Sequence, residues 1–114
     1  MKIIKIASTG TFWHISNYKF DKFDSYLSAQ GVFWFAKDRD SLASNWHGAN
    51  ISSLKPIWLY EVQITHSKTA GWDEYDRYYL QELEDKGYDS IELDDNFVVF
   101  DPNNIEIINI ERLK

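Results

Sequence analysis

Three short stretches place side chains where chemistry could use them. TFWHIS, residues 11–16, sets His14 two residues before Ser16 in a run that reads as a strand, so imidazole and hydroxyl share a face. A neutral imidazole has one donor and one acceptor nitrogen. His14 is therefore either a buried histidine bonded to backbone or a residue that holds a ligand. GVFWFA, residues 31–36, carries Trp34 and Phe35, which alternation sends to opposite faces, one to a cleft and one to the core. The third stretch, DDNF at 94–97, brings Asp94, Asp95 and Asn96 to a tight turn and the start of a strand. An amide at 96 makes hydrogen bonds but carries no negative charge. Asp95 takes up the same orientation only if a bulge slips the strand start by one residue.

Other polar groups offer less. His14, His47 and His66 lack metal-ligand spacing, so no metal site is expected, and His47 and His66 read as surface loop residues. Ser16 and His14 have no third group to orient them as nucleophile and base. Asp73–Glu74 and Glu82–Glu84–Asp85 read as solvated helix faces, the first pair also favoured by a helix N-terminus.

The elements that must position these residues follow from pattern. KIIKIA (2–7) reads as a strand followed by an STG turn, and TFWHIS as a second strand. Residues 17–30 carry Phe20, Phe23 and Tyr26 or Leu27 at helical or loop-packing spacing. GVFWFA is a short buried strand, and residues 37–48 a helix capped near Asp38 or Asp40 and closed by Gly48. IWLYEVQI (57–64) alternates as a strand does. WDEYDRYYLQELEDKG (72–87) predicts one helix, with Tyr75, Tyr78 or Tyr79, Leu80 and Leu83 as its apolar stripe and Gly87 as its end. Strands are expected at 88–93, 96–101 and 104–113, the first two joined at Asp94–Asp95. The sum is an α+β domain with more strand than helix.

Composition narrows the possibilities. With 114 residues the chain predicts one domain, 1–114, which buries roughly two-thirds of its unfolded surface. Aromatics reach 17%, enough to fill a core or to stack on flat ligands. The absence of cysteine rules out disulfides and thiolate chemistry and fits a cytoplasmic setting. No apolar run is long enough for a membrane span. A net charge of −6 disfavours nucleic acid as partner.

Taken in order, these segments resemble the ADP-ribosyltransferase superfamily, the branch of poly(ADP-ribose) polymerases and small phage-encoded transferases. The resemblance runs over residues 11–108. Trp13, His14, Ile15 and Ser16 stand where that branch has an aromatic, His, Gly and a small hydroxyl residue. GVFWFAKDRDSLASNW follows its glycine-led strand, acidic turn and helix, with Trp46 at a tyrosine position. WLYEVQI matches its next strand, and DNFVVFDPNNIEI its last, with Asn96 in place of a Glu.

The resemblance implies two split antiparallel sheets with two or three short helices around a cleft for NAD. His14 and Ser16 would hold the adenosine-side ribose, Trp46 would stack on nicotinamide, and Trp34 or Phe35 would line the cleft. Lys37 and Arg39 would meet NAD phosphates unless they are simply exposed charges. Asn96, or Asp95 through a bulge, would sit beside the reacting ribose. The implied activity is transfer of a single ADP-ribose from NAD to a protein acceptor. The alternative is a catalytically impaired module of the same fold that docks onto a partner protein.

Overall fold

The computed structural model describes residues 7–24, 31–40, 42 and 51–114. Among the described residues are seven strands: β1 (Ser8–Ser16), β2 (Phe33–Ala36), β3 (Trp58–His66), β4 (Thr69–Ala70), β5 (Ser90–Leu93), β6 (Asn96–Val99) and β7 (Ile105–Arg112). Two short helices, α1 (Trp72–Arg77) and α2 (Leu80–Asp85), lie between β4 and β5. The domain is α+β, and the strands join in the order β4-β5-β6-β2-β1-β3-β7. All the pairings are antiparallel except the two-residue β4, which runs parallel to β5. The strand expected at 2–7, except Ala7, and most of the expected 37–48 helix, including Trp46 and His47, lie outside the described residues; Arg39, Asp40 and Leu42 are helical.

The sheet is continuous but nearly divided. Nine residue pairs join β1 to β3, whereas Trp13 with Ala36 is the single register pair between β1 and β2. Where the resemblance implies two split antiparallel sheets, the strands form one sheet, joined at this point. From there they fold toward each other. Neighbouring strands lie about 4.8 Å apart, so β1 and β6 would be nearly 10 Å apart in a flat sheet, and β3 and β6 farther still. Instead the Phe12 ring stacks on Phe97 at 4.4 Å and His66 lies 5.0 Å from the same Phe97 ring. Phe12, Tyr60, Val62 and Ile64 from one half share a buried cluster with Phe33, Phe35, Phe97 and Val99 from the other.

Strand alternation builds the outer cores. Trp34 and Val98, one residue out of phase with the inner set, pack with Ile91, Leu93 and Phe100 against Leu83 of α2. Ile15, Leu42, Ile57 and Leu59 form a third cluster, joined by Trp13 and Ala36.

Three expectations about local structure change. STG is not a turn: Ser8, Thr9 and Gly10 extend β1, each paired to β3. Gly10 suits this place because a Cβ there would stand 2.8 Å from the Phe12 ring. The single helix over 72–87 is interrupted at Tyr78 and Tyr79, both extended. Glu82 accepts a hydrogen bond from the Tyr79 amide at 3.2 Å, a capping contact that starts α2 afresh. The break lets Tyr75, Tyr78, Leu80 and Leu83 all meet the same core, while Tyr79 is left 83% exposed. His66, expected in a loop, ends β3 and is half-buried.

Phe97, fully buried and in contact with rings of both β1 and β3, is the principal filler between the halves. Phe97→Ala should cost about 3–5 kcal/mol, read as a lowered urea midpoint. An unchanged midpoint would mean that the halves are held together elsewhere.

Candidate functional site

His14 and Asn96 are the residues around which a ligand site would have to form, and strand register separates them. On β1, His14 shares its face with Phe12, which belongs to the inner cluster. On β6, Asn96 alternates with the inward Phe97 and pairs across with Ala36, whose β1 partner is Trp13. Residues directly opposite on paired strands share a face. Trp13, Ala36 and Asn96 therefore form one row on the outer face, and His14 points to the other side.

The His14 imidazole is enclosed by rings. Phe23 lies 5.1 Å away edge-on, Phe35 at 5.7 Å, Tyr60 at 6.1 Å and Phe20 at 6.2 Å. Nδ1 stands 3.0 Å from the Trp34 carbonyl oxygen. A carbonyl has no proton to give, so Nδ1 is the donor and the neutral ring carries its proton there. Desolvation pushes the His14 pKa below its usual value, against a smaller upward pull from the Trp34 carbonyl.

Tyr60 closes this enclosure. It is fully buried, yet its hydroxyl is satisfied twice: it donates to the Tyr18 carbonyl at 2.7 Å and accepts from the Phe20 amide at 2.9 Å. The two bonds hold the segment after β1 over His14, and Phe20 stacks on the Tyr60 ring at 4.3 Å. Alternation in WLYEVQI marks Tyr60 as a core residue, but no local signal marks its hydroxyl as the anchor of a segment 40 residues away. Tyr60, Phe20 and Phe23 were thus missed as builders of the site.

The remaining expected residues distribute as follows. Trp34 and Asn96 share the outer face, two positions apart across the β2–β6 pair. Phe35 faces inward beside His14. Ser16, paired with Trp58, accepts from the Tyr18 amide at 3.1 Å in a local turn. Asp95 lies in the β5–β6 turn, where its carbonyl accepts from the Lys37 amide at 3.0 Å. The β5–β6 register runs unbroken from Leu93–Asn96 to Ser90–Val99, so the bulge that would have turned Asp95 onto the Asn96 face is not present. Asp94 accepts from the indole N–H of Trp72 at 3.1 Å. Lys37 pairs with Glu92 at 3.3 Å, and Arg39 with Glu111 at 2.6 Å, as surface charges.

A cavity of about 610 Å³ opens elsewhere, beside α1 and α2, lined by Lys68, Arg77, Lys86, Tyr78 and Tyr88 among others and by none of the expected site residues. No helix among the described residues is long and apolar enough to cross a membrane.

The chain matches no protein-family model. It likewise matches no curated protein and no solved structure.

Two outcomes follow from the enclosure. Tyr60→Phe leaves the Phe20 amide and the Tyr18 carbonyl without their partner and should lower stability by about 1–3 kcal/mol, measured by urea unfolding. His14 titrates lower in the folded chain than in the unfolded one, so below about pH 6.5 the unfolded state takes up the extra proton. Its contribution is fully present above that pH and is lost as pH falls toward the folded value. His14→Leu should flatten this part of the urea-midpoint profile; an equal slope in both proteins would count against an enclosed neutral imidazole.

Proposed function

We propose that this chain is an ADP-ribosyltransferase-like domain that works by docking onto a partner protein, with its capacity to cleave NAD impaired. The observation that carries the reading is the separation of His14 and Asn96 onto opposite faces of the sheet. Cleavage of NAD needs the group that holds its adenosine-side ribose and the group beside its reacting ribose in one cleft, with negative charge at the latter as positive charge develops there. His14 gives its Nδ1 proton to the Trp34 carbonyl on the inner side, and Asn96 contributes an uncharged amide on the outer one. The order of the motifs, and two antiparallel halves joined at one pair, support the family-like scaffold.

The chain's charge distribution supports a basic partner. Residues 72–95 hold ten of the eighteen carboxylates but two of the twelve cations. Trp72 and Tyr79 stand 45% and 83% exposed within this stretch. Negative charge of this density steers a positively charged surface on approach, and exposed rings supply contact area once it arrives. A cysteine-free chain suits a cytoplasmic setting.

A second reading, the mono-ADP-ribosyltransferase, is favoured by one observation: Trp34 and Asn96 share the outer face beside the small Ala36. There an indole would stack on nicotinamide and the amide would bond the adjoining ribose. The C1′–N bond would break with its electron pair leaving on nicotinamide, and a protein nucleophile would then bond to C1′. Trp46, expected on the nicotinamide, lies outside the described residues.

Nicotinamide release from NAD, with and without cell extract, separates the two. The docking reading expects no release by the wild type. Release that Asn96→Ala abolishes and Asn96→Glu raises by about 10²–10³ would replace it with the transferase.

A further inference from the structure

A chain of polar side chains links β3, β4 and β5, apart from the rings around His14. β3 ends at His66, two residues lead to β4, and Thr69 pairs with Ser90 across the parallel β4–β5 ladder. His66 Nδ1 lies 3.0 Å from Thr69 Oγ1, Thr69 Oγ1 lies 2.8 Å from Ser90 Oγ, and Ser90 Oγ lies 2.8 Å from Asp89 Oδ1. Ser90 is fully buried. The other Asp89 oxygen accepts from the Ser67 amide at 2.8 Å and the Ser67 hydroxyl at 2.9 Å, and Oδ1 also faces the Lys68 amide at 3.3 Å.

Counting protons gives this chain a direction. Burial pushes the Asp89 pKa up, but bonds from the Ser90 hydroxyl, the Ser67 amide and hydroxyl and the Lys68 amide outweigh it and hold the carboxylate below its ordinary value. An ionised carboxylate only accepts. Ser90 has one hydroxyl proton, and Asp89 takes it. Ser90 Oγ can then meet Thr69 only as acceptor, so Thr69 donates its own single proton to Ser90. Thr69 Oγ1 in turn meets His66 only as acceptor, which requires the imidazole proton to sit on Nδ1.

We propose that Asp89, Ser90 and Thr69 form a one-way hydrogen-bond chain that holds His66 in its Nδ1–H form and presents Nε2 as a fixed acceptor for a ligand's hydroxyl or N–H group. Nε2 has no hydrogen-bond partner among the described residues, and His66 keeps intermediate exposure beside Phe97. An imidazole oriented through one nitrogen and open at the other is the arrangement by which proteins position histidine to take a proton or bind a ligand. This site does not rest on the docking reading: Asp89 is one of the carboxylates of residues 72–95, but none of the site's residues lies in the two helices or is among the rings around His14.

The test is the tautomer itself, read from long-range proton–nitrogen correlations of the imidazoles in the nitrogen-15-labelled full chain at mildly alkaline pH. His66→Gln identifies the signals. The wild type should show a protonated Nδ1 and a bare Nε2, the reverse of free histidine's preference. Asp89→Asn should invert it. The Ser67 amide and hydroxyl keep the Asn oxygen on their side, so its NH₂ faces Ser90 and drives each hydroxyl to donate toward His66. Ser90→Ala frees the Thr69 hydroxyl to donate to Nδ1 and should shift the ring toward Nε2–H, so either folded variant suffices. A wild type with its proton on Nε2 would overturn the proposal, as would a folded Asp89→Asn chain with the tautomer unchanged.

Discussion

The two halves of the sheet meet edge to edge at one register pair, Trp13 with Ala36, and the rest of the molecule depends on how they close from there. Closure brings Phe12 of one half onto Phe97 of the other and shuts a cluster of rings and aliphatic side chains between them. The non-directional attraction of that apolar surface supplies the force, and ring-on-ring packing supplies the geometry. Strand alternation then leaves no freedom. Once Phe12, Phe35 and Phe97 turn inward, Trp13, Trp34 and Asn96 must face outward.

The same constraint decides the fate of the polar residues. His14 and His66 both lie on the inner side, and both give their Nδ1 proton to the protein. The first donates to the Trp34 carbonyl among rings, the second to a threonine backed by a serine and an aspartate. Buried donors and acceptors that are paired in this way rigidify a site. Around His14 the result is a ring-lined, half-buried site flanked by the segment that Tyr60 anchors. Such a site supports a scaffold more readily than a cleft that must admit a dinucleotide.

Charge is sorted along the chain as clearly as apolar surface is. Residues 72–95, from the first helix to the β5–β6 turn, carry ten of the eighteen carboxylates, and outside them the cations slightly outnumber the acids. An acidic stretch that carries exposed rings supports the docking reading independently of the candidate cleft.

Much of this was legible in the sequence. Alternation located β3, β5, β6 and β7 and sent Trp34 and Phe35 to opposite faces, because a period of two is a local property of the strand. The Asp94–Asp95 turn and the α+β class were equally local. What the sequence could not carry was register between distant segments. The pairing of Trp13 with Ala36 and of Ala36 with Asn96 puts His14 and Asn96 on opposite faces, although their motifs read in order as parts of one site. The interruption at Tyr78–Tyr79, the reach of the Tyr60 hydroxyl and the chain from Asp89 to His66 likewise depend on partners that only folding brings near. Periodicity sets which way a side chain can point relative to its neighbours. The tertiary structure alone decided what it meets there, because hydrogen bonds and ring contacts form across space and leave no period in the chain.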